Sequence, residues 1–212
     1  MSKTEIIGRI RAALRDNSRA AERVAEYAAI PRRYRQTSEL GVESRLELFL
    51  SRIQHYDGGI FRCDREAVPQ TIADALTERS ATRMVVPPGF PHEWLPGGCE
   101  FVVDEGLSHQ DLDRAGGVLT TCTVAIALTG TIVLQHGPGE GRRALTLVPD
   151  YHLCVVEAEQ IVETVPEAIR RLRALDPSVV TTISGPSATA DIEMTRIKGV
   201  HGPRTLDVIV VG

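Results

Sequence analysis

The sequence predicts an α/β fold: an open, mostly parallel, Rossmann-like sheet flanked by helices, with an inserted β-hairpin and a helical N-terminal arm. Three features lead there. Apolar residues recur at helical spacing through the first quarter, short apolar runs alternate with amphipathic ones from residue 60, and TTCTVAIALTGTIVLQHGPGEGRRALTLVP in the middle has no helical period but many glycines. At 212 residues the chain is long enough to bury a self-sufficient core.

Taken in order, Ile6, Ile10, Ala13 and Leu14 fall on one helical face, and Ala21, Val24, Ala25 and Ala28 on a second that Pro31 closes. Leu46, Phe49, Leu50 and Ile53 repeat the pattern until Gly58 and Gly59 stop it. Residues 1–57 are therefore expected to form a helical arm packing on the core, and residues 58–212 the α/β domain. GIFRC, RMVVP and EFVVD read as strands, with a helix carrying Val68, Ile72, Ala75 and Leu76 after the first. The glycine-rich middle reads as two β segments joined by a turn. YHLCVVE is a further strand, and the helix after it opens with Thr164 and Glu167 at capping-box spacing, turning Ile169 and Leu172 inward. VVTTI and LDVIVV are the last two strands.

Composition excludes several function classes. Hydrophobic residues make up 42% and charged residues 25%, which is ordinary globular usage and argues against disorder. A net charge of −4 supplies no general attraction to nucleic acid or an anionic membrane, and the basic run PRRYR reads as a solvated helix end. No apolar segment reaches the roughly 20 residues of a membrane span, and the first residues lack the apolar stretch of a secretory signal, so a cytoplasmic protein is expected. Cys63, Cys99, Cys122 and Cys154 are widely scattered and His136, His152 and His201 lack ligand spacing, so neither a metal nor a cofactor is expected.

The chemistry concentrates in SGPSATADIEMTRIKGVHGP, residues 184–203, between the last two strands. Ligands of open parallel sheets collect where strands end and helix N-termini present free N–H groups. Gly185 permits a sharp turn there, and Ser187 and Thr189 offer hydroxyls beside whatever helix or turn begins at Ala190. A lone helix cap would need just one of them. Asp191 and Glu193, two apart, converge on a site only along an extended segment, while His201 can move protons, bind an anion or simply fix its own turn. The second candidate constellation is Thr129, Gly130 and Thr131 with HGPGEGRR, in which Arg143 is a natural clamp for a carboxylate or phosphate. HGPGEGRR matches neither a Walker loop nor a dinucleotide fingerprint.

SGPSATADIE followed by GVHGP, with AIALTGTIVL, GPGEGRR and VPDYHLCVV upstream in the same order, resembles the lactate utilisation protein C family, the LUD-domain proteins, over about residues 60–212. The resemblance implies a fold like that of ribose-phosphate isomerase, glucosamine-phosphate deaminase and the CoA transferases. It also implies a non-redox part in oxidising L-lactate to pyruvate alongside iron–sulfur partner proteins, with a small anionic ligand bound. This chain departs from the family pattern at Leu128, where an acid is usual, and at Ala188, where a base is usual, which alters the charge of the pocket. A free-standing enzyme on a phosphorylated sugar, a CoA thioester or a folate-like acid is the alternative, and a structural adaptor a third. A homo-oligomer is left open.

Overall fold

The computed structural model describes residues 2–14, 20–175, 179–190, 196–198 and 202–212. The chain divides into two compact units, residues 1–35 and 36–212. The first holds helices α1, Lys3–Leu14, and α2, Ala20–Ala29. Within it the Arg32 guanidinium lies 4.8 Å from the Tyr27 ring centre and donates to the carbonyls of Tyr27 and Ile30, which closes the end of α2. Among the described residues no helix is long and apolar enough to cross a membrane.

The second unit is built on six parallel strands. In chain order these are β1 (Gly59–Cys63), β2 (Arg83–Val86), β3 (Glu100–Val103), β4 (Gly117–Thr120), β7 (Tyr151–Glu157) and β12 (Thr205–Val211), and they lie side by side in the order β1-β12-β7-β4-β2-β3. The missing numbers belong to a second sheet of β5 (Val124–Ile126), β6 (Thr131–Leu134), β8 (Ile161–Val162) and β9 (Thr181–Ile183), ordered β8-β5-β6-β9, and to a hairpin of β10 (Ala188–Ala190) and β11 (Arg196–Lys198). The helices of this unit are α3 (Val42–His55), α4 (Val68–Glu78), α5 (His109–Asp113) and α6 (Val165–Leu175).

Strands buried on both faces must be apolar at successive positions, and β7 and β12 are. They pair from Tyr151 opposite Thr205 to Glu157 opposite Val211. On one face Leu153, Val155, Ile209 and Val211 meet Val68, Ile72 and Leu76 of α4. On the other, Cys154, Val156, Leu206, Val208 and Val210 meet Phe49 and Ile53 of α3 and Ile132, Leu134 and Ile161 of the second sheet. The far side of that second sheet, through Val124, Ile126, Val133 and Val162, is covered by Ala168 of α6. The layers are thus helix, parallel sheet, mixed sheet with α3, and helix.

Two expectations are corrected here. The strands bracketing the polar loop belong to different sheets, because β12 is apolar enough for a two-sided interior whereas β9, with Thr181 buried and Thr182 exposed, suits an edge with one wet face. It runs antiparallel to β6, with Leu134 opposite Thr181. Ile169 also faces outward. The capping box forms as expected, Thr164 donating to the Glu167 carboxylate through both N–H and hydroxyl, but α6 turns the smaller Ala168 inward with Leu172 one turn on.

Three buried polar groups tie the parallel sheet together. The Asp207 carboxylate inside β12 accepts from Arg79 Nε and Nη2 at 2.8 and 2.7 Å, at the end of α4. It occupies the space that a Cβ at residue 59 would need, so Gly59 is required on β1. His152 of β7 lies 2.8 Å from the Thr120 hydroxyl of β4, and burial pushes its imidazole down to about 4 from 6.5.

A histidine buried neutral stabilises fully above its unfolded value near 6.5, and that contribution is lost as pH falls toward 4. At about 1.4 kcal/mol per pH unit the loss is on the order of 3 kcal/mol. Urea unfolding of the wild type is expected to show this loss between neutral pH and pH 4, and His152→Gln to flatten it. Arg79→Met leaves the Asp207 carboxylate buried alone and is expected to cost about 3 kcal/mol in the same assay.

Candidate functional site

The polar loop leaves β9 at Ser184 and returns to β12 through Pro203. At Gly185 φ is +80°, and a Cβ would collide with the Tyr56 side chain at the end of α3, so the position excludes any other residue on two grounds. The Ser187 N–H donates to the Pro203 carbonyl at 2.8 Å, joining the two ends of the loop. From Ala188 the chain enters β10, which pairs antiparallel with β11: Ala188 faces Lys198, Thr189 faces Ile197 and Ala190 faces Arg196. A strand therefore stands where a helix or turn was expected at Ala190. The Ser187 N–H that a helix start would offer to a ligand is already bonded. Asp191, Glu193 and His201 lie outside the described residues, and Thr189 is placed by its backbone alone.

Against this loop lies a cavity of about 220 Å³. Its walls are β9, Ser184–Ala188, Gly202 and Pro203, Leu206 of β12, and Arg143 and Thr146 from the 3₁₀ turn Arg143–Thr146. Leu206 is the second residue of β12 and Thr146 precedes β7, so the cavity sits at the amino ends of the parallel strands rather than at the carboxyl ends. The reason is that β9 and β12 belong to different sheets. β9 points its carboxyl end, and the loop after it, toward the start of β12.

Of the two adjacent arginines only Arg143 lines this cavity. Arg142 donates from Nε and Nη2 to Asp104 at 2.7 and 3.0 Å, and this holds the Asp104 carboxyl below the usual carboxylate range. Among the described residues Arg143 bonds to the carbonyl and hydroxyl of its neighbour Thr146, at 3.1 and 3.0 Å, with its side chain exposed. Gly185, Ser187 and Arg143 are thus brought together at one hollow. Thr129, Gly130 and Thr131 reach it indirectly. The Thr129 and Thr131 hydroxyls are 2.7 Å apart, and Thr131 is 2.8 Å from the Ser184 hydroxyl on the cavity wall. Gly130 makes that chain by turning left-handed at φ +57°, tight against Arg52 of α3. Of the two departure positions, Ala188 lines the cavity with a methyl group, whereas Leu128 is exposed on the 3₁₀ turn Ala127–Thr129.

Sequence reasoning missed Thr181 and His136 as partners. His136 Nδ1 lies 2.8 Å from the Gly141 carbonyl, and Nε2 lies 2.7 Å from the hydroxyl of Thr181, a residue that lines the cavity. Nearby Glu140 is buried, and desolvation raises its carboxyl while the Thr123 hydroxyl and the Gln135 N–H hold it. The signal was a histidine and a glutamate in a glycine-rich turn that needs neither for turning. A second hollow, of about 530 Å³, opens at the carboxyl ends of β2 and β3 between Gly89, Asp104, His136 and Arg142, and the charges of its Asp104 and Arg142 answer each other. No group of three metal-ligating side chains occurs among the described residues. His152 pairs with Thr120, and Asp150 with Arg204.

The two arginines can be separated experimentally. Arg142→Gln takes the guanidinium from the buried Asp104 carboxylate, leaving it the Gly106 and Leu107 N–H donors, and is expected to lower unfolding free energy by about 2 kcal/mol. Arg143→Gln is expected to stay within about 0.5 kcal/mol of wild type in the same urea titration.

Comparison with known proteins adds to this geometry. A family model for the LUD domain matches residues 102–211. A lactate utilization protein C from Deinococcus radiodurans is 48% identical over 170 residues, 79% of each chain. Another from Halalkalibacterium halodurans is 36% identical over 172 residues, 74% of each. The crystal structure of a DUF162 family protein from Deinococcus radiodurans superposes with a TM-score of 0.72 at 42% identity, covering 82% of this chain and 99% of that one.

Proposed function

Because the chain belongs to the LUD domain family, we propose that it acts in lactate utilisation as a non-redox component of a system oxidising L-lactate to pyruvate, binding a small carboxylate and working with iron–sulfur partner proteins. The relatives' names support the lactate role. The observation that carries the ligand is the cavity itself, about 220 Å³ lined by Arg143 together with the hydroxyl-bearing Thr146, Thr181 and Ser184. A guanidinium with hydroxyl donors complements a carboxylate and an α-hydroxyl or keto oxygen. The volume is below the roughly 300–1,000 Å³ of sites that enclose drug-sized ligands. That suits a three-carbon acid and disfavours enclosure of a CoA thioester.

In this reading the chain holds and orients the acid, and the iron–sulfur partners accept the two electrons that leave the substrate carbon. Calorimetry with L-lactate, pyruvate, ribose 5-phosphate and acetyl-CoA tests it. The two small acids are expected to bind, the other two not, and Arg143→Ala to weaken binding about tenfold or more. Loss of growth on L-lactate after deletion of the gene, with iron–sulfur proteins retained on the tagged chain, is the matching result in the cell. Growth unchanged, or selective binding of the sugar phosphate or CoA ester, would reject the proposal.

A further inference from the structure

His136 stands in the wall between the two hollows. Its ring borders the larger one, and through Thr181 it reaches the smaller. Its backbone is left-handed, at φ +63°, which is uncommon and costly for a residue other than glycine. That conformation places Nδ1 on the Gly141 carbonyl and Nε2 on the Thr181 hydroxyl at once.

A carbonyl oxygen only accepts, so Nδ1 carries a proton in both states of the ring. The state of Nε2 then decides which way the hydroxyl points. In the neutral ring Nε2 is an acceptor, Thr181 donates to it, and the cavity is offered an oxygen lone pair. In the charged ring Nε2–H donates to the Thr181 oxygen, and the hydroxyl proton is released toward the cavity. A carboxylate can only accept, so the first state repels it and the second bonds it.

We infer that His136 and Thr181 form a proton-linked donor, so that a small carboxylate enters this cavity together with one proton held on His136 Nε2. The inference rests on the carboxylate reading of the cavity and gives His136 the part of a positioning residue, acting through Thr181. Among the described residues, the charged groups near the ring are Glu140, Asp104, Arg142 and Arg143. Glu140 comes from the same turn and is held by Thr123 and Gln135. Asp104 and Arg142, across the larger hollow, answer each other, and Arg143 lies on the ligand side. β9 contributes an uncharged hydroxyl.

The sign follows from linkage. A ligand that prefers the protonated form raises proton affinity, and a proton raises ligand affinity by the same factor. Affinity is therefore expected to be higher at low pH than at high pH. Lactate's own carboxyl stays ionised throughout, since carboxylic acids titrate near pH 4.

The test is calorimetry of L-lactate with the full chain from about pH 5.5 to about pH 8.5, the range that brackets histidine titration, in two buffers of different ionisation enthalpy. The expected result is uptake of up to one proton on binding and a loss of affinity of about tenfold across the range, the worth of one charge-assisted hydrogen bond. Asparagine tolerates a left-handed backbone and does not titrate. His136→Asn is therefore expected to abolish the proton uptake and flatten the profile near the high-pH affinity of the wild type. Thr181→Val is expected to flatten it also, with melting temperatures checked for both variants. Binding without proton uptake, or a pH profile that survives in His136→Asn, overturns this inference alone. Absence of binding at every pH overturns the carboxylate site and this inference with it.

Discussion

The pairing of β7 with β12, seven residues long and apolar on both faces, is the constraint on which the rest of the molecule depends. A strand pair buried on both sides demands cover on both sides. α4 supplies one cover, and α3 with the mixed sheet supplies the other. The second cover is itself a sheet with two faces, so it needs a further helix, α6, and the layered order follows. The polar groups admitted to this interior, Asp207 and His152, are each answered by a partner from a neighbouring element, as burial requires.

The cavity is a by-product of that layering. It opens where the edge strand of the mixed sheet, β9, passes the amino end of β12, and the 3₁₀ turn before β7 closes the third side. Each wall brings a different chemistry. β9 brings hydroxyls, the turn brings a guanidinium, and β12 brings the apolar floor at Leu206. Because GPGEGRR runs from β6 to that turn, its two arginines separate in role. Arg142 folds back on Asp104 to hold the turn, which leaves Arg143 facing the hollow.

Much of this was legible in the sequence, for identifiable reasons. Periodicity placed α3, α4 and five strands of the parallel sheet, because two-sided burial writes itself as a largely apolar run, whereas the four-residue β4, Gly117–Thr120, was not anticipated. The spaced motifs led to the family that comparison then established. The mixed sheet was less legible. Three-residue strands such as β9 carry too little pattern to reveal their partners, and Thr181 could not be seen to meet His136 before Leu134 was seen opposite it. Ile169 misled because helical spacing admits two adjacent faces, and the choice between them was made by the packing of Ala168 against the mixed sheet. Arg143 lines the hollow and Arg142 does not, yet nothing in RR distinguishes the two until Asp104 is placed.

One peptide contact has a consequence for how this family can vary. The bond from Ser187 to Pro203 joins the two ends of the polar segment, so that the chain between them closes a ring. The entropy of closing such a ring grows only logarithmically with its length. Lengthening or rewriting the ring therefore imposes little burden on the layers beneath. Evolution is free to reshape this appendage for new neighbours while the body that carries it stands unchanged.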